Sequence, residues 1–181
     1  MESKLQIISG TYRGRKLYLP GGARPTQNRA RIALFNMMSS IGVRPRMIWD
    51  AFAGSGAFGL ECLSRYPDCR VVFTDVAPQT VRKNLQMLGV NSRATVVKID
   101  AVAAIAKYGA DADLIFLDPP YEMAETGAAF VRKLAPVARA GTILIWEQDG
   151  PYAVMPDENA WEILRDKQYG RARFLILRRR A

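Results

Sequence analysis

Met47-Ile48-Trp49-Asp50-Ala51-Phe52-Ala53-Gly54-Ser55-Gly56-Ala57-Phe58-Gly59 is the stretch that decides the fold. Residues 47–52 read as a central strand that runs directly into a glycine-rich loop, and the helix that follows continues through Leu60, Leu63 and Ser64. Glycines let the backbone turn sharply from strand to helix and pass close to a ligand. Gly54, Gly56 and Gly59 satisfy G-x-G-x-x-G. Asp75, at the end of a second expected strand over 71–75, lies about twenty residues further on, where an acid can hold a ribose. The spacing alone does not separate a nicotinamide dinucleotide from S-adenosylmethionine (SAM). Asp50 favours SAM, because an acid leading into the loop can sit near a methionine ammonium and would meet no such partner in a dinucleotide.

Further strands are expected over 95–99, 114–117 and 142–147, and helices over 76–88, 102–108 and 124–134. Pro78 near a first turn and Gly89 at an end bracket one of these helices. Asp100 follows the third strand, placed to cap the next helix and to accept the adenine amino group of a cofactor. Residues 148–159, with Pro151 and Pro156, read as a loop. A terminal antiparallel hairpin is expected from 161–164 and 173–177, turning through 166–170. Alternating strands and helices make this an α/β chain with a doubly wound, Rossmann-like sheet and an antiparallel C-terminal strand. Upstream, 5–9 and 15–19 look like an N-terminal β-hairpin. Arg24-Pro25-Thr26 opens a helix whose Ala30, Ala33, Leu34, Met37, Met38 and Ile41 mark one buried face, with Arg29 and Arg31 off that stripe and Gly42 at its end.

Asp113-Leu114-Ile115-Phe116-Leu117-Asp118-Pro119-Pro120-Tyr121 carries the chemistry. Uninterrupted apolar residues indicate a strand buried on both faces. Asp118 lands at its carboxyl end, where open α/β sheets bind ligands. Prolines behind Asp118 and Pro119 force extended geometry, and two prolines remove two N–H donors. A stiff loop therefore presents a carboxylate, a carbonyl and a ring. That set suits a planar substrate bearing N–H groups, such as the exocyclic amine of a nucleobase. If Asp118 and the Pro119 carbonyl each accept one N–H, they orient the nitrogen lone pair and stabilise the positive charge that grows on it. Tyr121 would stack on the base, a contact typically contributing about 1–3 kcal/mol. No tuned general base is required, and the chain contains no histidine.

The chain's 181 residues, 49% hydrophobic and 24% charged, suit one globular domain. No apolar run reaches transmembrane length and the first residues lack a signal-peptide core, so a cytoplasmic protein is expected. Cys62 and Cys69 fit no metal-ligand spacing and read as reduced thiols; no metal is expected. The net charge of +9 is concentrated at the ends: residues 1–47 carry +8 and residues 171–181 carry +5, around a middle of −4. Basic ends on a mildly acidic body fit a polyanion-binding enzyme, with Arg13, Arg15 and Lys16 beside Tyr12 and Tyr18 as a phosphate- and base-contacting patch.

Asp118-Pro119-Pro120-Tyr121 resembles the [DNS]-P-P-[YF] motif of amino-directed nucleic-acid methyltransferases. Tyr12-Arg13-Gly14-Arg15-Lys16-Leu17, Arg24-Pro25-Thr26, Ala33-Leu34-Phe35-Asn36, Phe52-Ala53-Gly54-Ser55-Gly56, Leu60-Glu61-Cys62-Leu63-Ser64-Arg65 and Phe116-Leu117-Asp118-Pro119-Pro120-Tyr121 occur in this order in the RsmD family, which the chain resembles over residues 5 to about 150. The resemblance implies a class I SAM-dependent methyltransferase acting on a guanine N2 amine of small-subunit (16S) ribosomal RNA, alone or within the subunit. It further implies that Asp50, Phe52, Gly54, Ser55 and Gly56 line the methionine side of SAM, with Asp75 on the ribose and Asp100 on the adenine. Asp118, Pro119, Pro120 and Tyr121 would form the catalytic loop. Arg13, Arg15, Lys16, Arg24 and Thr26 would contact the substrate, which must expose or flip its base. The expected organisation is a single domain over 1–181, with 1–45 as an RNA-contacting extension, 46–181 as the catalytic core, and a monomer in solution. Where the family usually has Arg-Val-Arg-Glu, this chain has Arg29-Ala30-Arg31-Ile32, so a role for that acid does not transfer. DNA or other RNA amines remain alternative substrates, and a noncatalytic RNA-binding protein of this fold is a further alternative.

Overall fold

A computed structural model describes residues 4–22 and 28–181. The elements run α1 (Asn28–Ser40), β1 (Met47–Asp50), α2 (Ala57–Arg65), β2 (Arg70–Asp75), α3 (Gln79–Leu88), β3 (Ala94–Lys98), α4 (Ala101–Tyr108), β4 (Leu114–Leu117), α5 (Ala124–Leu134), β5 (Ile143–Asp149), β6 (Trp161–Tyr169) and β7 (Ala172–Arg179). One seven-stranded sheet has the order β3-β2-β1-β4-β5-β7-β6. The first five strands in that order are parallel, and β7 joins them antiparallel against β5. The strand order reverses between β1 and β4. At such a point neighbouring loops diverge and leave a crevice at the carboxyl edge.

Both faces of the sheet are covered, as the unbroken apolar strands require. Ile48, Leu114, Phe116, Ile145, Phe174 and Ile176 point to the face packed by α1, α2 and α3. Trp49, Ile115, Leu117, Leu144, Trp146 and Leu175 point to the face packed by α4 and α5. The alternation follows from the two-residue period of a strand. On the first face Phe58 of α2 stacks on Phe116 of β4 with centroids 4.1 Å apart, and Phe35 of α1 lies 5.3 Å from Phe58. This ladder fixes both helices under the crevice.

The N-terminal arm differs from the hairpin expected from its sequence. Its ladder is a single antiparallel bridge, Gln6 with Lys16, around a turn. The arm lies on the body rather than standing off it. Leu5, Ile7 and Leu17 join the core, and Tyr12 packs against it. Glu61, fully buried on α2, accepts the Ile8 and Ser9 N–H groups at 2.9 and 3.0 Å. Ser64 Oγ accepts Tyr12 N–H at 2.9 Å and donates to the Ser9 carbonyl at 2.6 Å. A short arm that satisfies its backbone on a helix has no need of a longer ladder. Arg31, read as off the buried stripe, is itself buried, because its guanidinium donates to the Gln6 carbonyl as the arm crosses α1.

The terminal hairpin is longer than expected. β6 continues to Tyr169 and the turn falls at Gly170. The polar residues 165–169 occupy an edge strand, where alternation with solvent is normal. Asp166 and Arg173 form a two-pronged ion pair across it at 2.8 and 2.6 Å.

Candidate active site

Each parallel strand delivers an acid to the same edge of the sheet: Asp50 ends β1, Asp75 ends β2, Asp100 follows β3, Asp118 follows β4 and Glu147 lies on β5. They bound a cavity of about 810 Å³, within the size range of small-molecule sites. Phe52, Gly54 and Ser55 line it on the loop side, and Pro119, Pro120 and Tyr121 on the other. Gly56 does not line it. Its φ of +80° turns the chain into α2, and a Cβ there would fall 2.6 Å from Val81 Cγ2. Gly59 has a packing role too, since a Cβ would sit 2.3 Å from Phe73 Cε1. Both glycines bring the loop and helix close to β2.

Three of the acids are tied to backbone amides. Asp50 Oδ2 accepts Gly59 N–H at 3.1 Å inside the first turn of α2. Burial, opposed by that amide and reinforced by Asp118 and Asp75, holds the Asp50 carboxyl well above its ordinary range. Asp75 accepts Gly54 N–H and Ala77 N–H, each at 2.8 Å, and so clamps the glycine loop to the end of β2. Asp100 Oδ1 accepts Ala103 N–H at 3.0 Å and caps α4. All three also face the cavity. Asn84 of α3, which the sequence does not single out, ties the loop to the arm: its side chain bonds Tyr18 N–H and C=O, and Ser55 C=O, at 2.8 to 3.0 Å. Acidic groups along a glycine-lined groove fit the cationic sulfonium and ammonium, the ribose hydroxyls and the adenine amine of SAM.

Asp118 and Glu147 are of a different kind. Leu117 pairs with Trp146 in the β4–β5 register, so one step further sets Asp118 beside Glu147 on the face of Phe116 and Ile145. Burial pushes the Asp118 carboxyl up to about 7. Glu147 is 3% exposed, and burial and the Asp118 charge drive its carboxyl well above the usual range. Its Oε2 is buried without a hydrogen-bond partner. A group titrating near neutrality is thus present without histidine, which sequence reading did not foresee.

Pro119, Pro120 and Tyr121 are shared between the large cavity and a smaller one of about 230 Å³, which Trp146 and Tyr152 also line. Arg171 sits 5.2 Å from the Tyr121 ring centroid and pairs with Asp149 at 2.7 Å through two nitrogens. Burial, helped by Glu147, Asp118 and Asp149 and opposed by Arg171, pushes the Tyr121 phenol up to about 12, so it stays protonated. Arg13, Arg15 and Lys16 are exposed on the arm; Arg15 also donates to the Met87 carbonyl at 3.1 Å. Lys83 lies 3.7 Å from the Tyr18 ring. Arg24 and Thr26 lie outside the described residues. Among the described residues no cluster of His, Cys, Asp and Glu is placed to hold a metal, and no helix is long and apolar enough to cross a membrane.

The family described as Conserved hypothetical protein 95 matches residues 5–178. Ribosomal RNA small subunit methyltransferase D of Escherichia coli (strain K12) is 41% identical over 122 residues, 65% of this chain. The match spans 61% of that relative's length. The protein of the same name from Haemophilus influenzae is 31% identical over 180 residues, covering 93% of this chain and 91% of its own. Among solved structures, a putative methyltransferase from Escherichia coli, yhhF, superposes with a TM-score of 0.81 at 31% identity, over 97% of this chain and 98% of that one. With nearly every residue inside the family match and a relative aligned over nine tenths of both lengths, the chain belongs to the Conserved hypothetical protein 95 family, that of the ribosomal RNA small subunit methyltransferase D (RsmD) proteins.

Proposed function

We propose that this protein is a SAM-dependent methyltransferase that methylates the N2 amine of a guanine in small-subunit ribosomal RNA. The observation that carries the reading is the position of Asp118-Pro119-Pro120-Tyr121: it borders the acid-lined cavity and contributes Pro119, Pro120 and Tyr121 to the smaller one. A cofactor in the first and a base in the second would meet across that loop.

SAM, bound along the loop of Gly54 and Ser55 with Asp50, Asp75 and Asp100 on its polar groups, supplies an electrophilic methyl. The chain's own residues do the rest. Asp118 and the Pro119 carbonyl accept the two amine N–H groups, and so turn the nitrogen lone pair out of conjugation with the ring. As positive charge grows on nitrogen, the Asp118 carboxylate lies against it, in a pocket where little water competes. A carboxyl held at about 7 can also take the proton the amine releases, because its affinity is matched to the working pH. Tyr121 remains a neutral phenol, so its contribution is the ring. The whole chain acts as one domain and one monomer, with 46–181 as the catalytic core. Residues 1–45 form an RNA-contacting extension whose Arg13, Arg15, Lys16, Arg24 and Thr26 meet the RNA.

The test is Asp118→Ala, assayed for methyl transfer to unmodified small subunits, naked ribosomal RNA and DNA, with SAM binding measured separately. Turnover should fall by about 10²–10³, as when one preorganised electrostatic partner is deleted, with SAM affinity retained. A folded variant that loses SAM binding would refute the assignment of roles, and transfer to DNA alone would refute the substrate.

A further inference from the structure

Glu147 has no part in the chemistry above, yet it is buried at the site with a polar atom left unpartnered, one of its carboxylate oxygens. It borders both the large cavity and the small one. The Arg171 guanidinium, which also lines the large cavity, is engaged by Asp149. An unpaired polar atom inside a fold is a standing loss that a ligand donor removes. Register places this acceptor beside Asp118 on the same face of neighbouring strands.

We propose that Glu147 is a specificity-determining residue that accepts the ring N1–H of the target guanine while Asp118 accepts the adjoining N2 amine. This rests on the methyltransferase reading and deepens it. Guanine presents two neighbouring donors on that edge, the N1–H and the exocyclic amine. Adenine presents its amine beside a ring acceptor, N1, and cytosine beside N3. In their ionised forms the two side-by-side carboxylates are an acceptor pair that complements guanine and sets lone pair against lone pair with the other two bases. Donation from guanine to both carboxylates also favours their ionised forms, relieving the burden that burial and mutual repulsion place on them.

The experiment uses ribosomal RNA carrying either guanine or 2-aminopurine at the modified position. 2-Aminopurine keeps the N2 amine but has no N1–H. For the wild type, kcat/KM should favour guanine by about 10- to 100-fold, the weight of one hydrogen bond to a charged group. Glu147→Ala should bring that ratio close to unity while SAM still binds. Glu147→Gln, nearly the same size, guards against a packing artefact: its amide can donate to the ring acceptor, so 2-aminopurine should gain on guanine. If both variants lose activity equally on the two substrates, Glu147 is merely structural and the inference fails. A wild type that transfers methyl to neither RNA overturns the underlying reading, and one that transfers equally to both overturns only this inference.

Discussion

Asp118→Asn should stabilise the folded protein in alkaline solution and hardly change it in acid. The carboxyl at 118 is held at about 7 against an ordinary 3.8, so the folded state binds its proton more tightly than the unfolded chain does. Stability therefore falls as pH rises through that window, is undiminished below it, and has lost the whole amount above it. At about 1.36 kcal/mol per pH unit, the loss is about 4 kcal/mol by pH 8. That figure is a ceiling. Asp118 keeps some accessible surface toward the cavity, and water reaching it screens the charge. Part of the penalty also belongs to Glu147, which Asp118 drives up in turn. A gain of about 2 kcal/mol at pH 8.5 is the working expectation. For a chain of this length it raises the melting temperature by about 4–8 °C. Asparagine cannot ionise, and it relieves Glu147 as well, so the gain should shrink steadily toward pH 4.5. Urea and thermal unfolding of both proteins at pH 4.5, 6.5 and 8.5 measure it. Equal stabilisation at all three, or a loss that deepens with pH, would refute the claim that a buried carboxyl pair sits at this edge of the sheet.

Gly59→Ala places a methyl 2.3 Å from Phe73 Cε1 and should cost about 1–3 kcal/mol of stability, as overpacking does; a variant that melts with the wild type would show that α2 can move off β2 freely. Neutralising Arg13, Arg15 and Lys16 together should weaken RNA binding and flatten the plot of log affinity against log salt by about 2–3, one condensed counterion per lost phosphate contact. An unchanged slope in a filter-binding titration would remove the arm from the RNA interface.

The elements that could be read from sequence are those whose signal is local. The run 114–117 is apolar throughout and ends at an acid and two prolines, and β4 has those bounds. The glycine loop turns where Gly56 permits. Where a residue's environment is made by something distant, local pattern fails. Arg31 looks solvent-facing on a helical wheel but is covered by the arm from residue 6. Glu61 and Ser64 look incidental in α2, and their use appears only when residues 8–12 lie across them. Polarity from Asp166 to Gln168 suggests a turn, yet the same residues suit a half-exposed edge strand, and it is Arg173 on the partner that resolves the two.

The row of acids at the strand ends shows the same division within the site. Taken singly, Asp50, Asp75 and Asp100 are an acid before a loop, one after a strand and a helix cap, and each does accept a backbone amide. Those amides hold the loop and helices in place and share the carboxylates with any ligand, so such groups work with or without a bound molecule. Among the described residues no hydrogen bond reaches the Asp118 or Glu147 carboxylates, and burial is the first cause of the rise in both. No structural task accounts for keeping two carboxyl groups adjacent and without hydrogen bonds beside the switch point of the sheet. Their neighbourhood is set by the β4–β5 register, which joins residues far apart in the chain, and so it becomes visible only in the folded molecule. The three tied acids are thus suited to hold a cofactor in a standing groove. On the proposed function the two untied ones would receive donors from a substrate, and that asymmetry would separate the cofactor side of the crevice from the side where a base is chosen.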